Sequence, residues 1–520
     1  MAGPAQQSAA HAPGRAERQD PPIVRAFDTL REAEQLRLAG KHDRARSVCA
    51  LALKEFPDYV GALHTMGLIL ADQTHYDKAL EYLHRALMLN PTDPKVLTGL
   101  SGVYLRLGSD LMAARTLEQA LEAQPKDVNI LVTLGEIYRE QKEYEFSKDA
   151  YQAALEIEPD LVVAQIGLAR NLAQIGELQQ AAEIYEKHIR AGSRALNHLL
   201  ALGALPAQFV NLDILPLLDE TVQPPKRLPP DEFKSHIAFA KALALDAAGR
   251  YEEAWEQVNR ARRYNAAQNK KGYTNYRQRF EPLLKMARDA PEITGARLRE
   301  SPDQPVSLFI AGPSRSGKTT LERLIGSLPG VKRGYENPIV ENTVRRTFQT
   351  AGFPTFSMLP QMPPGLGDSF RVFYGEELAR RADSSKVFTN TLPGRAEDAV
   401  RAAAEIPNAR FVFVKRDVED LSIRIFMKNY AGGNYYSSSV ANIRDFLTWG
   451  HEMMDVMAAK MPEVARVITY EEMIADPAAA LNMTAELCGL DASGAEIPKV
   501  GDDRGCAEPY REKMKAAIGA

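Results

Sequence analysis

Two rhythms divide the chain. Over the first half, small residues and prolines return every 34 residues. Pro57, Pro91, Pro125 and Pro159 keep this interval, as do Ala52, Ala86, Ala120 and Ala154. Ala45, Ala79, Ala113 and Ala181 fill another position of the same frame, with Ser147 in the matching place. Gly67 and Gly135 share a third position, and Gly40, Gly108 and Gly176 a fourth. From Val306 the rhythm changes. Val306 to Ala311 is a continuous apolar run, which predicts a buried parallel strand. Leu321, Leu324, Ile325 and Leu328 then mark one face of a helix. Phe411 to Val414 predicts another buried strand, and Phe446 to Met461 an amphipathic helix.

The first rhythm predicts paired antiparallel helices. Small residues let the two helices approach closely, and the proline follows the second helix, where no backbone donor is wanted. A single pair cannot bury its own apolar face, so the pairs must stack. This resembles the tetratricopeptide repeat, whose period is about 34 residues. Five consecutive repeats are expected over about residues 26–192. A sixth, detached one is expected from His236 to Asn265, where Ala242, Gly249, Tyr251, Ala254 and Ala261 keep the frame. Ala204 to Pro230 between them is proline-rich and irregular. The resemblance implies a groove for a protein or peptide, which the acceptor of a reaction would suit, or else scaffolding or a homo-oligomer. The repeating residues are packing residues and do not choose between these.

Composition narrows the class. At 520 residues the chain is too long for one ordinary domain. The expected division is a disordered tail over 1–25, a repeat domain over 26–295 and a second domain over 300–520. The net charge of −4 gives no global basic field, which argues against a nucleic-acid partner. Three cysteines, Cys49, Cys488 and Cys506, lack disulfide or metal-ligand spacing and suit a reducing compartment. No stretch approaches the roughly 20 apolar residues of a membrane helix, and the first residues do not read as a signal peptide, so the expectation is a cytoplasmic protein that is not integral to a membrane.

The chemistry begins after the first strand, at Gly312-Pro-Ser-Arg-Ser-Gly-Lys-Thr-Thr320. Glycines let backbone N–H groups turn inward around an anion, and the helix N-terminus adds partial positive charge. Arg315 and Lys318 add full charges. Ser316, Thr319 and Thr320 add hydroxyls, and Gly317 adds a compact backbone. Read literally, Gly312, Gly317, Lys318 and Thr319 fit the Walker A pattern of kinases and nucleoside triphosphatases. Such an enzyme needs an acidic residue on a neighbouring strand for Mg²⁺. The strand Phe411 to Val414 instead runs into Lys415-Arg416, which suits a phosphate, with Asp417 as the one candidate Walker B acid.

The flanks carry a second resemblance. Pro313 to Thr320 is similar to the P-R-S-G-T-T loop of sulfotransferases. Leu328-Pro-Gly-Val331 and Gly334-Tyr-Glu336 stand where the bacterial repeat-linked and tyrosylprotein sulfotransferases have H-P-x-V and G-E. Ile406-Pro-Asn-Ala-Arg-Phe-Val-Phe-Val-Lys-Arg-Asp417 resembles their F-P-N-A-R-F-I-x-x-x-R-D. Val467-Ile-Thr-Tyr-Glu-Glu-Met-Ile-Ala-Asp-Pro477 resembles V-x-Y-E-D-L-V-x-D-P, and Cys488-Gly-Leu490 the C-G-L that follows. The resemblance spans about residues 305–492. It implies an α-solenoid of tetratricopeptide repeats followed by a P-loop-like α/β sulfotransferase domain with a central parallel sheet.

The implied donor is PAPS (3′-phosphoadenosine 5′-phosphosulfate), with no metal. The implied binding residues are Arg315, Ser316, Gly317, Lys318, Thr319 and Thr320 on the 5′-phosphosulfate, with Arg416 on the 3′-phosphate and Ser422 or Arg424 beside it. Glu336 aligns with the family's catalytic glutamate, with Arg315 and Lys318 facing the leaving group. Asn337-Pro338 after it reads as an N-cap followed by a first helical turn. His451 reads as structural.

Three departures from the family pattern stand out. Lys318 replaces a threonine. Thr391, in Asn390-Thr-Leu-Pro393, replaces a lysine. Arg424 replaces the serine eight residues after Arg416, with Ser422 two residues earlier. One cation lost at Thr391 and one gained at Lys318 suggests relocated charge. The same departures leave an ATP- or GTP-using kinase and an inactive repeat protein as alternatives. In the tail, Asp502 to Cys506 reads as a surface segment or a loop near the cofactor's adenine, with Arg504 as its candidate residue.

Overall fold

The computed structural model describes residues 22–519, apart from 220–221, 223–227, 265, 349–363, 392–395 and 431–433. Most of the expected tail, and Pro393 of the Asn390–Pro393 motif, lie outside the described residues. The first helix begins at Pro22. The chain falls into two compact units, Met1–Ile137 and Tyr138–Ala520.

The first unit is built of helical hairpins at the predicted period: Pro22–Leu38 with His42–Glu55, Val60–Asp72 with Tyr76–Leu89, and Pro94–Arg106 with Asp110–Ala123. The small residues do what the period requires. Ala45, Ala79, Ala86, Ala113 and Ala120 are fully buried, and a Cβ on Gly67 would lie 2.6 Å from Leu83 Cγ. Arg37 and Arg106 both reach Asp72, pinning one hairpin to the next. The helix Val128–Glu140 spans the division between the units.

The second unit carries the partner helix Tyr144–Ile157 and a fifth hairpin, Val162–Ile175 with Leu178–Arg190. It also holds the detached sixth hairpin, Pro230–Ala247 with Tyr251–Arg263, and a parallel sheet. The sixth hairpin shares one core with the segment that follows the sheet's fourth strand: Phe239, Ala254 and Val258 pack with Leu421, Phe426, Leu447 and Tyr510.

Five strands, β1 (Val306–Ala311), β2 (Val331–Lys332), β3 (Val387–Asn390), β4 (Ala409–Lys415) and β5 (Ala465–Thr469), pair in the order β2-β3-β1-β4-β5, all parallel. Both faces are covered, so the strands alternate between two cores. Phe309, Phe411 and Phe413 enter one, and Leu308, Ile310, Val412 and Val414 the other. The Phe309 and Phe411 rings stack with centroids 5.1 Å apart. Strand order reverses direction around β1, between β3 and β4. Ligand crevices of open α/β sheets lie at the carboxyl ends of strands at such a switch point.

Candidate functional site

The anion loop leaves β1 at that switch point. Gly312 passes so close to β4 that a Cβ there would stand 2.4 Å from the Val414 carbonyl oxygen. Gly317 has φ of 101° and lies against Tyr470, where a Cβ would come within 2.6 Å of the ring. Arg315 also takes left-handed backbone, φ 70°, a strained state for a residue with a side chain. The helix Lys318–Ile325 begins at once, so its first N–H groups, which have no intrahelical acceptor, face the loop. Ser316 is fully buried, and its Oγ has no partner among the described residues.

Lys318 behaves differently from the sequence expectation. Its ammonium is buried and donates to the carbonyl oxygens of Gly312 and Pro313, at 2.9 and 2.8 Å. A buried ammonium takes the acceptors within reach, and here they are the loop's own. Burial pulls its pKa down to about 8, with Glu336 opposing the fall and Lys428 adding to it. Thr319 is exposed and Thr320 half-buried at the start of the helix.

Lys428 was missed in the sequence. It follows the helix Val418–Phe426, and its ammonium lies 3.4 Å from Ser314 Oγ of the loop. Burial pulls it too down to about 8, reinforced by Arg315 and opposed by Glu336. Its backbone carbonyl is held by Arg262 from the sixth hairpin. The only sequence signal was a lysine shortly after the helix that begins at Asp417.

Glu336 sits on the loop after β2. Its charge favours the protonated form of both Lys318 and Lys428. Its loop is tied to the anion-loop helix by Glu322, which is fully buried. Glu322 Oε1 accepts from the Tyr335 backbone N–H at 2.8 Å and from Thr389 Oγ1 at 2.5 Å, and Arg333 reaches Oε2 at 3.5 Å. Burial raises the Glu322 pKa, against the pull of Arg333, Thr389 and the Tyr335 amide. Asn337 Oδ1 accepts from the Ile339 N–H at 3.2 Å, the expected cap on the helix Ile339–Phe348. Thr391 is buried beside this loop, its N–H donating to Tyr335 O at 2.8 Å.

Arg416 follows the last residue of β4 and is almost fully buried. Its Nη1 donates to Arg315 O at 3.1 Å, and its guanidinium lies 4.3 Å from the centre of the Tyr470 ring. Asp417, the candidate Walker B residue, instead caps the helix Val418–Phe426, accepting from the N–H groups of Glu419 and Asp420. Ser422 on that helix is fully buried, and its Oγ has no partner among the described residues. Arg424 neither reaches into solvent nor waits free. It is held by Asp503 and by Asp246.

Asp503 also accepts from Arg416, so the segment Gly501–Cys506 closes over both arginines. That segment is fastened by Asp420, which accepts from the Gly505 and Ala507 N–H groups, and by Tyr470 OH. Arg504 is turned away and pairs with Asp502. His451 is pulled down to about 4 by burial and by Lys415, and stays neutral. Among the described residues, no cluster of histidine, cysteine and acidic side chains has the makings of a metal site.

Residues 305–494 match the sulfotransferase family, and residues 60–93 and 128–161 match tetratricopeptide repeats. The chain is a tetratricopeptide-repeat protein with a sulfotransferase-family domain. Relatives cover pieces of it. Protein O-mannosyl-transferase TMTC1 of Mus musculus is 27% identical over 155 residues, 28% of this chain and 16% of that protein. An uncharacterized protein of Aquifex aeolicus is 20% identical over 338 residues, 62% of this chain and 43% of the other. The chain thus spans well under two thirds of the length of these relatives. Among solved structures, MamA is 20% identical with a TM-score of 0.29, covering 30% of this chain and 92% of that one. A tetratricopeptide repeat protein from Parabacteroides merdae is 16% identical with a TM-score of 0.35, covering 45% and 91%. Among the described residues, no helix is long and apolar enough to cross a membrane.

Proposed function

We propose that this chain is a PAPS-dependent sulfotransferase acting on a hydroxyl acceptor, with residues 26–295 as the repeat domain and 300–520 as the catalytic domain. The observation that carries the reading is the conjunction of an anion loop with a second cationic pocket at the next strand's end. Gly312 to Thr320 offers N–H groups and the orphaned Ser316 hydroxyl to one phosphate. Arg416 Nε and Ser422 Oγ, both buried without partners among the described residues, offer donors to another. A donor with phosphates at both its 5′ and 3′ positions fits two such pockets; ATP has no use for the second. Asp417 caps a helix through Oδ1, a role that supports this reading over a Walker kinase.

When bound, PAPS supplies the activated sulfuryl group. Arg315, Lys318, Lys428 and the loop amides neutralise charge on the leaving phosphate, the term that dominates such in-line displacements. For Lys318 this requires its ammonium to turn from the Gly312 and Pro313 carbonyls to the ligand. Glu336 takes the proton from the acceptor hydroxyl. The repeats suit an acceptor carried on a protein or peptide.

The test is a thermal-shift screen with PAP (the desulfated donor), PAPS, ATP and GTP, each with and without Mg²⁺. Metal-free stabilisation by PAP and PAPS is expected. A response confined to Mg²⁺ with ATP or GTP would reassign the chain to the kinases. No nucleotide response would make it an inactive interaction protein.

A further inference from the structure

Two turns of the repeat array depart from its glycine pattern, and one of the departures reaches Glu336. At this register the other turns carry left-handed backbone on Gly40, Gly108 and Gly176, with φ of 73°, 68° and 91°. Thr74 takes 63° at the second turn. The fourth turn, between Val128–Glu140 and Tyr144–Ile157, places a lysine there: Lys142, at φ 60°. Glycine is the residue that adopts this backbone without strain, so a long cationic side chain held in it signals a use beyond the turn.

The use is visible. Lys142 Nζ lies 3.4 Å from Glu336 Oε2, across 194 positions of sequence. The residues on either side are fastened to the same region. Glu143 is buried and pairs with Arg380 at 3.1 Å and with Arg381. The Tyr144 ring meets Tyr335 edge-on at 5.8 Å. Tyr335 OH donates to Glu145 at 2.8 Å. Tyr335, the neighbour of Glu336, is itself left-handed, at φ 54°. Three of these four consecutive repeat residues, Lys142, Tyr144 and Glu145, therefore grip one short loop, while Glu143 holds the helix Pro364–Ala382. Both sides of the grip hold backbone that the surrounding contacts must enforce.

We propose that Lys142 is a positioning residue for the transfer reaction: the fourth repeat hairpin supplies the cation that fixes the Glu336 carboxylate toward the acceptor. This rests on the reading of Glu336 as the proton acceptor. An exposed pair contributes little to stability, so its value lies in orientation. The consequence for architecture is that the repeat array is part of the active site, and not only a platform for a partner.

Three measurements on the full chain test it. A carbodiimide joins the Lys142 amine and the Glu336 carboxylate as an amide with loss of water, but only where the two touch. Mass spectrometry of the digested native protein is expected to find that link. Turnover is read as PAP released from PAPS with tyramine as the phenol probe, for Lys142→Gly, Lys142→Arg and Glu336→Gln. Glu336→Gln is expected to lose roughly 10²–10⁴-fold in kcat, the ordinary share of a general base. Lys142→Gly, which restores the residue of the sister turns, is expected to melt no lower than the native protein. It should nevertheless lose about ten-fold in kcat with KM for PAPS unchanged, and Lys142→Arg should recover at least half of the loss. Wild-type turnover in Lys142→Gly beside a crippled Glu336→Gln, or the absence of the link, overturns the role of Lys142 alone. Wild-type turnover in Glu336→Gln, or no release of PAP by the native protein, overturns the reading of Glu336 and the proposal with it.

Discussion

Asp503 and Arg424 form a two-pronged ion pair, with Arg424 Nη2 donating to Asp503 Oδ1 at 2.5 Å and Nε to Oδ2 at 3.0 Å. Arg416 Nη2 shares the second oxygen at 2.9 Å. Burial pushes the Asp503 pKa up, but the hydrogen bonds and charges of the two arginines more than offset it and hold the carboxyl below its ordinary range. A protein carboxylate thus sits on Arg416, the cation that the resemblance assigns to a 3′-phosphate, and on Arg424, which replaces the serine of that pattern.

The first prediction follows from that competition. Asp503→Asn keeps the shape and removes the competing charge. PAP is expected to bind about ten-fold tighter, roughly 1.4 kcal/mol, while adenosine 5′-phosphate, which lacks the 3′-phosphate, gains nothing. Titration calorimetry with both ligands decides it. Equal or weaker PAP binding in the variant would mean that Asp503 holds the arginines in place for the ligand.

Lys318 and Lys428 set a pH dependence. Both are pulled from 10.5 to about 8 in the folded chain, chiefly by burial. A depressed pKa contributes stability that is present above 10.5 and lost as pH falls through about 8. The ligand-free protein is therefore expected to gain stability from these groups between pH 8 and 10. PAP binding should move the opposite way, weakening over the same window as the two cations lose their protons. At pH 8.5, calorimetry in two buffers of different ionisation enthalpy should show proton uptake on binding, reduced in Lys428→Met. Binding that is flat from pH 7 to 9.5 would remove both lysines from the anion site.

Much of this was legible because period and spacing carry it. The 34-residue interval gave the hairpins, and Val306–Ala311 with Phe411–Val414 gave the two central strands. The anion loop, Glu336 and Arg416 are read from short motifs whose residues lie close in sequence. What the sequence concealed was every contact between distant segments. Asp503 on Arg416 spans 87 positions and Lys142 on Glu336 spans 194. Glu322 lies outside the apolar pattern of Leu321, Leu324, Ile325 and Leu328, yet it is buried because two loops converge on it. Lys318 looked like a phosphate ligand, and only the fold shows that loop carbonyls already hold it.

Glu322 gives the third prediction. Its carboxylate satisfies the Tyr335 amide and Thr389 hydroxyl from a fully buried position. Glu322→Ala leaves these donors unpaired and takes the carboxylate from Arg333, which keeps the Ile175 carbonyl, and is expected to cost about 3 kcal/mol in chemical denaturation. Glu322→Gln retains acceptor capacity and should cost less than half as much. In both, the Glu336 loop loosens, so kcat is expected to fall with little change in PAP affinity. A loss of PAP binding equal to the loss of turnover would show that Glu322 serves the anion loop and not the loop of Glu336.

The last prediction concerns how the detached hairpin reaches the site. Arg262, near the end of Tyr251–Arg263, donates to the carbonyl oxygens of Ile425, Phe426 and Lys428 and to Ser437 Oγ. Its guanidinium also lies over the Phe239 and Phe426 rings, 4.8 and 5.5 Å from their centres. It therefore closes the C-terminal end of the helix that carries Ser422 and Arg424, and fixes the backbone from which Lys428 extends. Burial draws its pKa down to about 10, so the charge is maintained at neutral pH. Arg262→Ala orphans several carbonyls at a helix end and should destabilise by about 3 kcal/mol. Arg262→Lys is expected to recover little, because an ammonium has neither the span nor the planar fork to reach four acceptors. If Lys428 needs this backbone, both variants also weaken PAP binding at temperatures where they remain folded, and Lys428→Met adds no further loss to Arg262→Ala. Additive losses in the double variant would show that Arg262 supports the core without setting the position of Lys428.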